Sequence, residues 1–450
     1  MLQVTVTTDS RMGTVEPSAR RFPNSSRVIP PSSTSSSWCT SPYVTSPVMK
    51  AWRSSISFRN PPESADFLRP RQSWHPGLVK VLHVIARVNL GGTARWLETL
   101  TAEQIAAGHE NVVATGHVQG DEVEDPGAAT MPLVRLDRLG RAVSPLDDVV
   151  ALRELRDLIG DLRPDVVNTH TAKAGMVGRA AALSLGRRRP ALVHTVHGHL
   201  LKGYFSGLAV RGISLSERLM AAASDLVLAA GQKVRDDLVA ARIVSPDKVV
   251  VVRPGVRDFP RLDPQIARAQ LGVADLGLDR PVAGWLARVV RVKRPDRLAG
   301  AAALAPGVDF IAGGDGALRP GLDEHAPRNL RNLGWVDPPT FWSACDLAVL
   351  TSDNEAMPYS LVEAALAGLP TVTTDAGSAS EVVVDGVTGL VVPLSTEAVA
   401  QGVRQLVADP EAMAAMGSAA RERALSEFSP GRMLTEHTAA YERAISQRRT

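Results

Sequence analysis

Asp346-Leu-Ala-Val-Leu-Thr-Ser-Asp-Asn-Glu355-Ala-Met-Pro-Tyr-Ser-Leu-Val-Glu363 is the stretch of this 450-residue chain that decides its architecture. The apolar run Asp346–Ser352 has the length and composition of a buried strand. Pro358 stands where a helix can begin, and Gly368-Leu-Pro370 marks its end. A strand passing through a short loop into a helix is half of a βαβ unit. The same segment separates two carboxylates by seven residues. Glu355 falls in the strand-to-helix loop, and Glu363 about one and a half turns into the helix. One acid can face the reacting end of a ligand while the other reaches a more distant polyol. The plainer alternative is a helix-terminal acid favoured by the dipole, together with a solvated helical Glu.

The alternation continues outward in both directions. Within the second half, strands are expected at Pro281–Ala287, Val308–Ala312, Arg331–Leu333, Leu347–Leu350, Pro370–Thr374 and Leu390–Pro393. Helices are expected at Pro295–Leu304, Thr396–Ala408, Pro410–Glu427 and Arg432–Ile445. The first half has the same rhythm. Its strands read as Val79–Ala86, Asn111–Gly116, Leu133–Leu136, Asp165–His170, Ala191–His197, Ser224–Ala230 and Lys248–Val252. Its helices read as Thr93–Gly108, Leu146–Leu162 and Ala174–Leu185. Pro and Gly cluster at Arg253–Pro264, where the halves divide. Short apolar strands separated by helices indicate an α/β fold with parallel sheets covered on both faces. Two doubly wound, Rossmann-like domains follow, 78–257 and 258–450, with ligands expected in an interdomain cleft beyond the carboxyl ends of the strands.

Composition narrows the function classes. A hydrophobic content of 44% is enough for sizeable cores. The net charge of +3 is unevenly placed, because residues 1–77 carry +5 and the remainder about −2. No global basic field recommends a nucleic-acid partner. Residues 1–77 are rich in Ser, Pro and Arg, with the low-complexity run Ser32-Ser-Thr-Ser-Ser-Ser37. Such a segment buries too little apolar surface to offset chain entropy, so a disordered N-terminal extension is expected. A transit peptide shares the Arg and Ser bias, but this segment is long, broken by Pro61-Pro62 and Pro70, and not amphipathic. A start assigned too far upstream accounts for it better, with Met49 one internal candidate. No apolar run of about 18 residues and no signal-peptide core occur, so the chain reads as cytoplasmic. Cys39 and Cys345 make neither a disulfide framework nor a metal site, and Cys345 is expected helical and buried.

Four further motifs sit at strand ends. Arg288 and Lys293 follow a strand in Gly284-Trp-Leu-Ala-Arg288-Val-Val-Arg-Val-Lys293, just ahead of a helix with Pro295 in its first turn. Two cations plus helix N-terminal amides suit a diphosphate. A departing nucleoside diphosphate gains negative charge, so fixed cations there stabilise the transition state more than the ground state. Arg291 and Arg294 are present too, which leaves open a loop of ordinary surface cations. Gly91-Gly92 allows backbone approach to phosphate or sugar, or simply a tight turn. In His194-Thr-Val-His197-Gly-His199, His197 belongs at the sheet's carboxyl edge and His194 on the opposite face, under a helix. His170 is a second strand-end candidate for the cleft, and no metal-ligand spacing accompanies these histidines. Gly313-Gly-Asp-Gly316 also occurs in lipid and nicotinamide-nucleotide kinases, but here it continues Ala317-Leu-Arg-Pro320. Phosphate-loop and dinucleotide fingerprints are missing.

Taken in order, these residues resemble the retaining GT-B glycosyltransferases of family 4 (glycosyl transferases group 1). Arg288 and Lys293 resemble that family's diphosphate pair, Gly314-Asp-Gly316 its glycine turn, and Gly334-Trp-Val-Asp337 the loop beside the base. Glu355–Glu363 is similar to its Glu-x7-Glu, and Gly377–Glu381 with Asp385-Gly-Val-Thr-Gly389 to its closing signature. Gly91-Gly92 and Thr195–Gly198 carry a looser likeness in the first half. The resemblance implies donor contacts at Gly91, Gly92, Arg288, Lys293, Gly314, Trp335, Glu355, Ser360, Leu361 and Glu363. It implies catalytic roles for His197, Glu355, Arg288 and Lys293. Glu363 would bond the ribose, Glu355 the transferred sugar, and His197 would sit near the sugar's reacting face. It implies no metal or cofactor, a nucleotide diphosphate sugar (UDP-linked) as donor, and a glycan or lipid-linked saccharide as acceptor in surface polysaccharide synthesis. Peripheral association with the inner membrane face is left open. Ala356 stands where the family usually has Gly, and its methyl bears on the sugar pocket. A nucleotide-sugar epimerase of similar fold and a non-catalytic binding member are the alternatives.

Overall fold

The computed structural model describes residues 78–120, 122–198 and 208–449. The expectations for residues 1–77, Met49 and Cys39 among them, and for His199 lie outside the described residues. Seven parallel strands form one sheet in the order β3-β2-β1-β4-β5-β6-β7, and six form a second in the order β10-β9-β8-β11-β12-β13. The first comprises β1 (Lys80–Ile85), β2 (Glu110–Thr115), β3 (Leu133–Arg135), β4 (Val166–His170), β5 (Ala191–Val196), β6 (Leu226–Ala229) and β7 (Val249–Val251). The second comprises β8 (Val282–Leu286), β9 (Asp309–Gly313), β10 (Leu330–Gly334), β11 (Leu347–Leu350), β12 (Thr371–Thr374) and β13 (Gly389–Val392). Strands β1, β5, β11 and β12 are buried along their whole length, as parallel strands sandwiched between helices must be.

Each sheet has its own core. Trp285, Leu298, Phe310, Leu347 and Val372 pack in one cluster on the second sheet. Each such side chain contributes roughly 1.5–3 kcal/mol on burial. The halves join through residues 252–263, which form no helix or strand.

The structure adds helices that the apolar pattern did not show. Gln232–Ala240 buries only Val234 and Leu238, too few to raise a periodic signal. Pro264–Gln270 and Pro338–Ser343 are short, but each is announced by an Asp cap before a Pro, Asp263 and Asp337. Leu208–Ala223, Arg319–His325 and Ala379–Val382 complete the additions.

The final helix, Pro430–Arg449, is placed with the second half by chain order, yet it packs on the first sheet. Met433, Ala440, Tyr441, Ala444 and Ile445 join one core cluster with Trp96, Leu100, Val166 and Val193. An apolar face of the first sheet is thereby covered by the end of the chain.

Candidate functional site

In both sheets the strand order reverses at one point, between β1 and β4 in the first and between β8 and β11 in the second. Neighbouring loops there run in opposite directions and open a crevice at the carboxyl edge. Gly91-Gly92 follows β1 and His170 ends β4, while Arg288 follows β8 and Glu355 follows β11. The candidate residues therefore mark the switch point of each sheet.

On the second sheet, Lys293 Nζ donates to Glu355 Oε1 at 2.5 Å, and Ser352 Oγ donates to the same oxygen. Glu355 is buried. Lys293 is held through its carbonyl, which accepts from Thr351 Oγ1 at 2.8 Å, and Thr351 in turn accepts from Trp285 Nε1. Behind the acid lies Gly377, at φ +57, where an added Cβ would sit 2.2 Å from the Glu355 carbonyl oxygen. Only glycine lets that backbone close onto the acid. Arg288 is exposed and has no ion-pair partner among the described residues. Arg291 is exposed as well, whereas Arg294 pairs with Asp296 and Asp353. The loop thus offers an exposed Arg288, whose charge also acts on Glu122, together with a Lys already neutralised by a buried acid. Gly314, at φ +122, lies against the Ala287 carbonyl oxygen, 2.0 Å from a hypothetical Cβ, so it supports the loop bearing Arg288.

Glu363 is buried five residues into the helix Tyr359–Leu366, where Arg95 of the first half donates to its Oε1. Arg95 went unnoticed in the sequence. Its signal was placement, in the first turn of the helix Gly92–Ala106 that opens directly from the Gly91-Gly92 loop. Gly92 itself lies against the ring of Tyr359, so the glycine pair of one half meets the Glu355–Glu363 motif of the other. Burial pushes the Glu363 carboxyl above its ordinary 4.5, with Arg95 and Trp342 opposing. A folded value above the unfolded one favours the neutral form. The resulting stability is fully present below 4.5 and is lost as pH rises through the folded value. Glu363→Gln makes the neutral form permanent. Its Tm is expected to match or exceed that of the unmodified chain at pH 7, the difference closing as the pH falls toward 4.5. A lower Tm at pH 7 would instead rank the Arg95 pair above the cost of burying the charge.

His197 is half-buried just past β5, its ring edge-on to Trp96 at 4.9 Å. His194 lies on the opposite face, bonded to Thr169 Oγ1 at 2.9 Å and covered by the helix carrying Gly175, as its strand parity required. His170 is not a cleft residue. It is fully buried behind His197, its Nδ1 2.8 Å from His197 Nε2. Trp335, 54% exposed, presents an indole beside β10, while Ser360 is half-buried in the first turn after Pro358. The Leu361 side chain is in the core, so only its main chain is available to a ligand. Ala356 packs against a first-half cluster that includes Val196, Ala229 and Val234. Its methyl therefore bears on the contact between halves. Cys345 is buried, as expected, though just beyond its helix. Among the described residues no group of three His, Cys, Asp or Glu is placed to hold a metal ion, and no helix is long and apolar enough to cross a membrane.

Two family profiles match the chain: Glycosyltransferase Family 4 over residues 90–258 and Glycosyl transferases group 1 over residues 272–423. An alpha-maltose-1-phosphate synthase of Mycolicibacterium smegmatis is 30% identical over 295 residues, covering 59% of this chain and 75% of that protein. A UDP-Gal:alpha-D-GlcNAc-diphosphoundecaprenol alpha-1,3-galactosyltransferase of Escherichia coli is 30% identical, covering 53% of this chain and 64% of that protein. Among solved structures, Anabaena Alr3699/HepE in complex with UDP and glucose superposes with a TM-score of 0.68 at 21% identity, over 81% of this chain and 99% of that one.

Proposed function

The chain belongs to the GT-B glycosyltransferases of the family 4 type, and from that premise we propose that it moves a hexosyl unit from a UDP-sugar to a hydroxyl of a glycan or lipid-linked saccharide, with retention. The observation that carries this reading is the pairing of Lys293 with the buried Glu355 at the β8/β11 switch point, with the exposed Arg288 in the same loop after β8. In the reaction, the bond from the sugar's anomeric carbon to the diphosphate oxygen breaks, and its electron pair stays with the diphosphate. The acceptor oxygen bonds the same carbon, and its proton passes to the departing phosphate. Arg288 and Lys293 stabilise the charge that grows on that group, an interaction strongest in the transition state. Glu355 orients the sugar, and Glu363 accepts from the ribose hydroxyls once Arg95 yields its place. Trp335 offers an aromatic face to the base. The UDP named for the Escherichia coli relative and the Anabaena structure supports the choice of nucleotide, and the lipid-linked saccharide named for the former supports the acceptor class. Surface polysaccharide synthesis on the cytoplasmic side is the setting this reading implies.

The test is a panel of UDP-, GDP- and ADP-sugars offered to the purified chain, with and without saccharide acceptors, the product anomer read by NMR. Transfer from a UDP-sugar with the anomeric configuration kept, undiminished by chelator, is the expected result. Interconversion of the sugar without transfer would replace this reading with an epimerase, and an inverted product would refute retention.

A further inference from the structure

Strands buried on both faces are usually apolar throughout, yet β1, β4 and β5 carry His83, Asn168, His170 and Thr195 fully or almost fully buried. The parallel register sets His83 beside Asn168 and His170 beside Thr195, so all four lie on one face of the sheet, with His197 two residues beyond Thr195. A buried polar group without a partner is costly, and here the partners are one another. His83 Nδ1 lies 3.1 Å from His170 Nε2, and His170 Nδ1 lies 2.8 Å from His197 Nε2. At the inner end, His83 Nε2 faces two amide oxygens, Gln104 Oε1 and Asn111 Oδ1, each at 3.2 Å.

A neutral imidazole has one N–H and one lone pair, so each link needs a donor and an acceptor. The amide oxygens only accept, which puts the His83 proton on Nε2. His83 Nδ1 must then accept from His170 Nε2–H, and His170 Nδ1 from His197 Nε2–H. We propose that His83, His170 and His197 form a one-directional hydrogen-bond chain that holds His197 as its Nε2–H tautomer and leaves its Nδ1 lone pair to accept a hydroxyl of the transferred sugar. The second part rests on the function proposed above. His83 and His170 are positioning residues in this arrangement, acting through His197. A proton added to His83 or His170 would set two donors face to face, and one added to His197 would take up the lone pair meant for the sugar. Burial guards against this, holding His83 down to about 4, His197 to about 3 and His170 well below the ordinary histidine value. Gln104 is also hydrogen-bonded to Tyr441, which keeps its amide in place. The final helix thereby contributes to the chain's anchored end.

The chain is tested by nitrogen NMR of the histidine-labelled, ligand-free protein, which needs no substrate. Expected are three neutral rings with the proton on Nε2. A proton on Nδ1 of His197 would overturn the proposal. His170→Phe keeps an aromatic ring, slightly larger, but removes both bonds. It should release His197 from a single tautomer and lower turnover about tenfold, with nucleoside diphosphate affinity within about twofold. His170→Gln has both an acceptor and a donor and should restore turnover to within about threefold. If His170→Phe leaves the His197 tautomer unchanged, the chain is refuted. If the tautomer changes but turnover on the donor found in the panel does not, the assignment of His197 to the sugar fails while the glycosyltransferase reading stands.

Discussion

Glu355→Gln lowers donor turnover by about ten- to a hundredfold and binds free nucleoside diphosphate as well as, or more tightly than, the unmodified chain. This result is expected because Glu355 is engaged by Lys293 and Ser352 in the ligand-free protein. The acid is assigned to the sugar, so losing its charge costs the interaction made during transfer. Free diphosphate lacks the sugar and never meets it. Removing the carboxylate also releases Lys293 Nζ, which becomes available to the diphosphate. Glu363→Gln is the contrast, since its carboxylate is assigned to the ribose and should weaken diphosphate and donor alike. Steady-state kinetics with calorimetric titration of the diphosphate separates the two. Normal turnover in both variants would end the case for paired carboxylates.

Arg288→Ala and Lys293→Ala should each weaken nucleoside diphosphate binding by about ten- to a hundredfold, the worth of one charge-assisted bond. They are expected to differ in stability. Arg288 is exposed and free of ion pairs among the described residues, so its loss should leave Tm unchanged. Lys293 neutralises a buried acid, and its loss removes the ion pair of that carboxylate with Lys293, a deficit of about 1–3 kcal/mol. Thermal melts of both variants, with the Lys293→Ala,Glu355→Gln double variant regaining Tm, would check the pairing. Equal nucleotide affinity across all three proteins would remove the diphosphate assignment.

The strands were legible to within a residue or two because fully buried parallel strands read as continuous apolar runs closed by Gly or Pro. Leu347–Leu350 and the helix Pro410–Glu427 match their expected limits. Helices with few buried positions, such as Gln232–Ala240, were not legible, since two apolar residues do not make a period. Most site candidates were found by where they sit, in the loops that follow strands, while Ser360, Leu361 and Glu363 lie in the helix after the β11 loop. His170 shows the limit of that rule. Ending a strand put it at the right edge of the sheet, but two other histidines bracket it, and the ring is buried.

The sequence by itself determined the two α/β halves and the loops that carry Arg288, Lys293, Glu355 and His197. Those follow from burial pattern, caps and turn residues, all of which act over a few residues. Only the tertiary structure decided which groups meet. Lys293 finds Glu355 across 62 residues, Arg95 finds Glu363 across 268, and Tyr441 reaches Asn168 across 273. Such pairings depend on how strands are ordered in a sheet and where a final helix docks, and neither leaves a local trace in the chain.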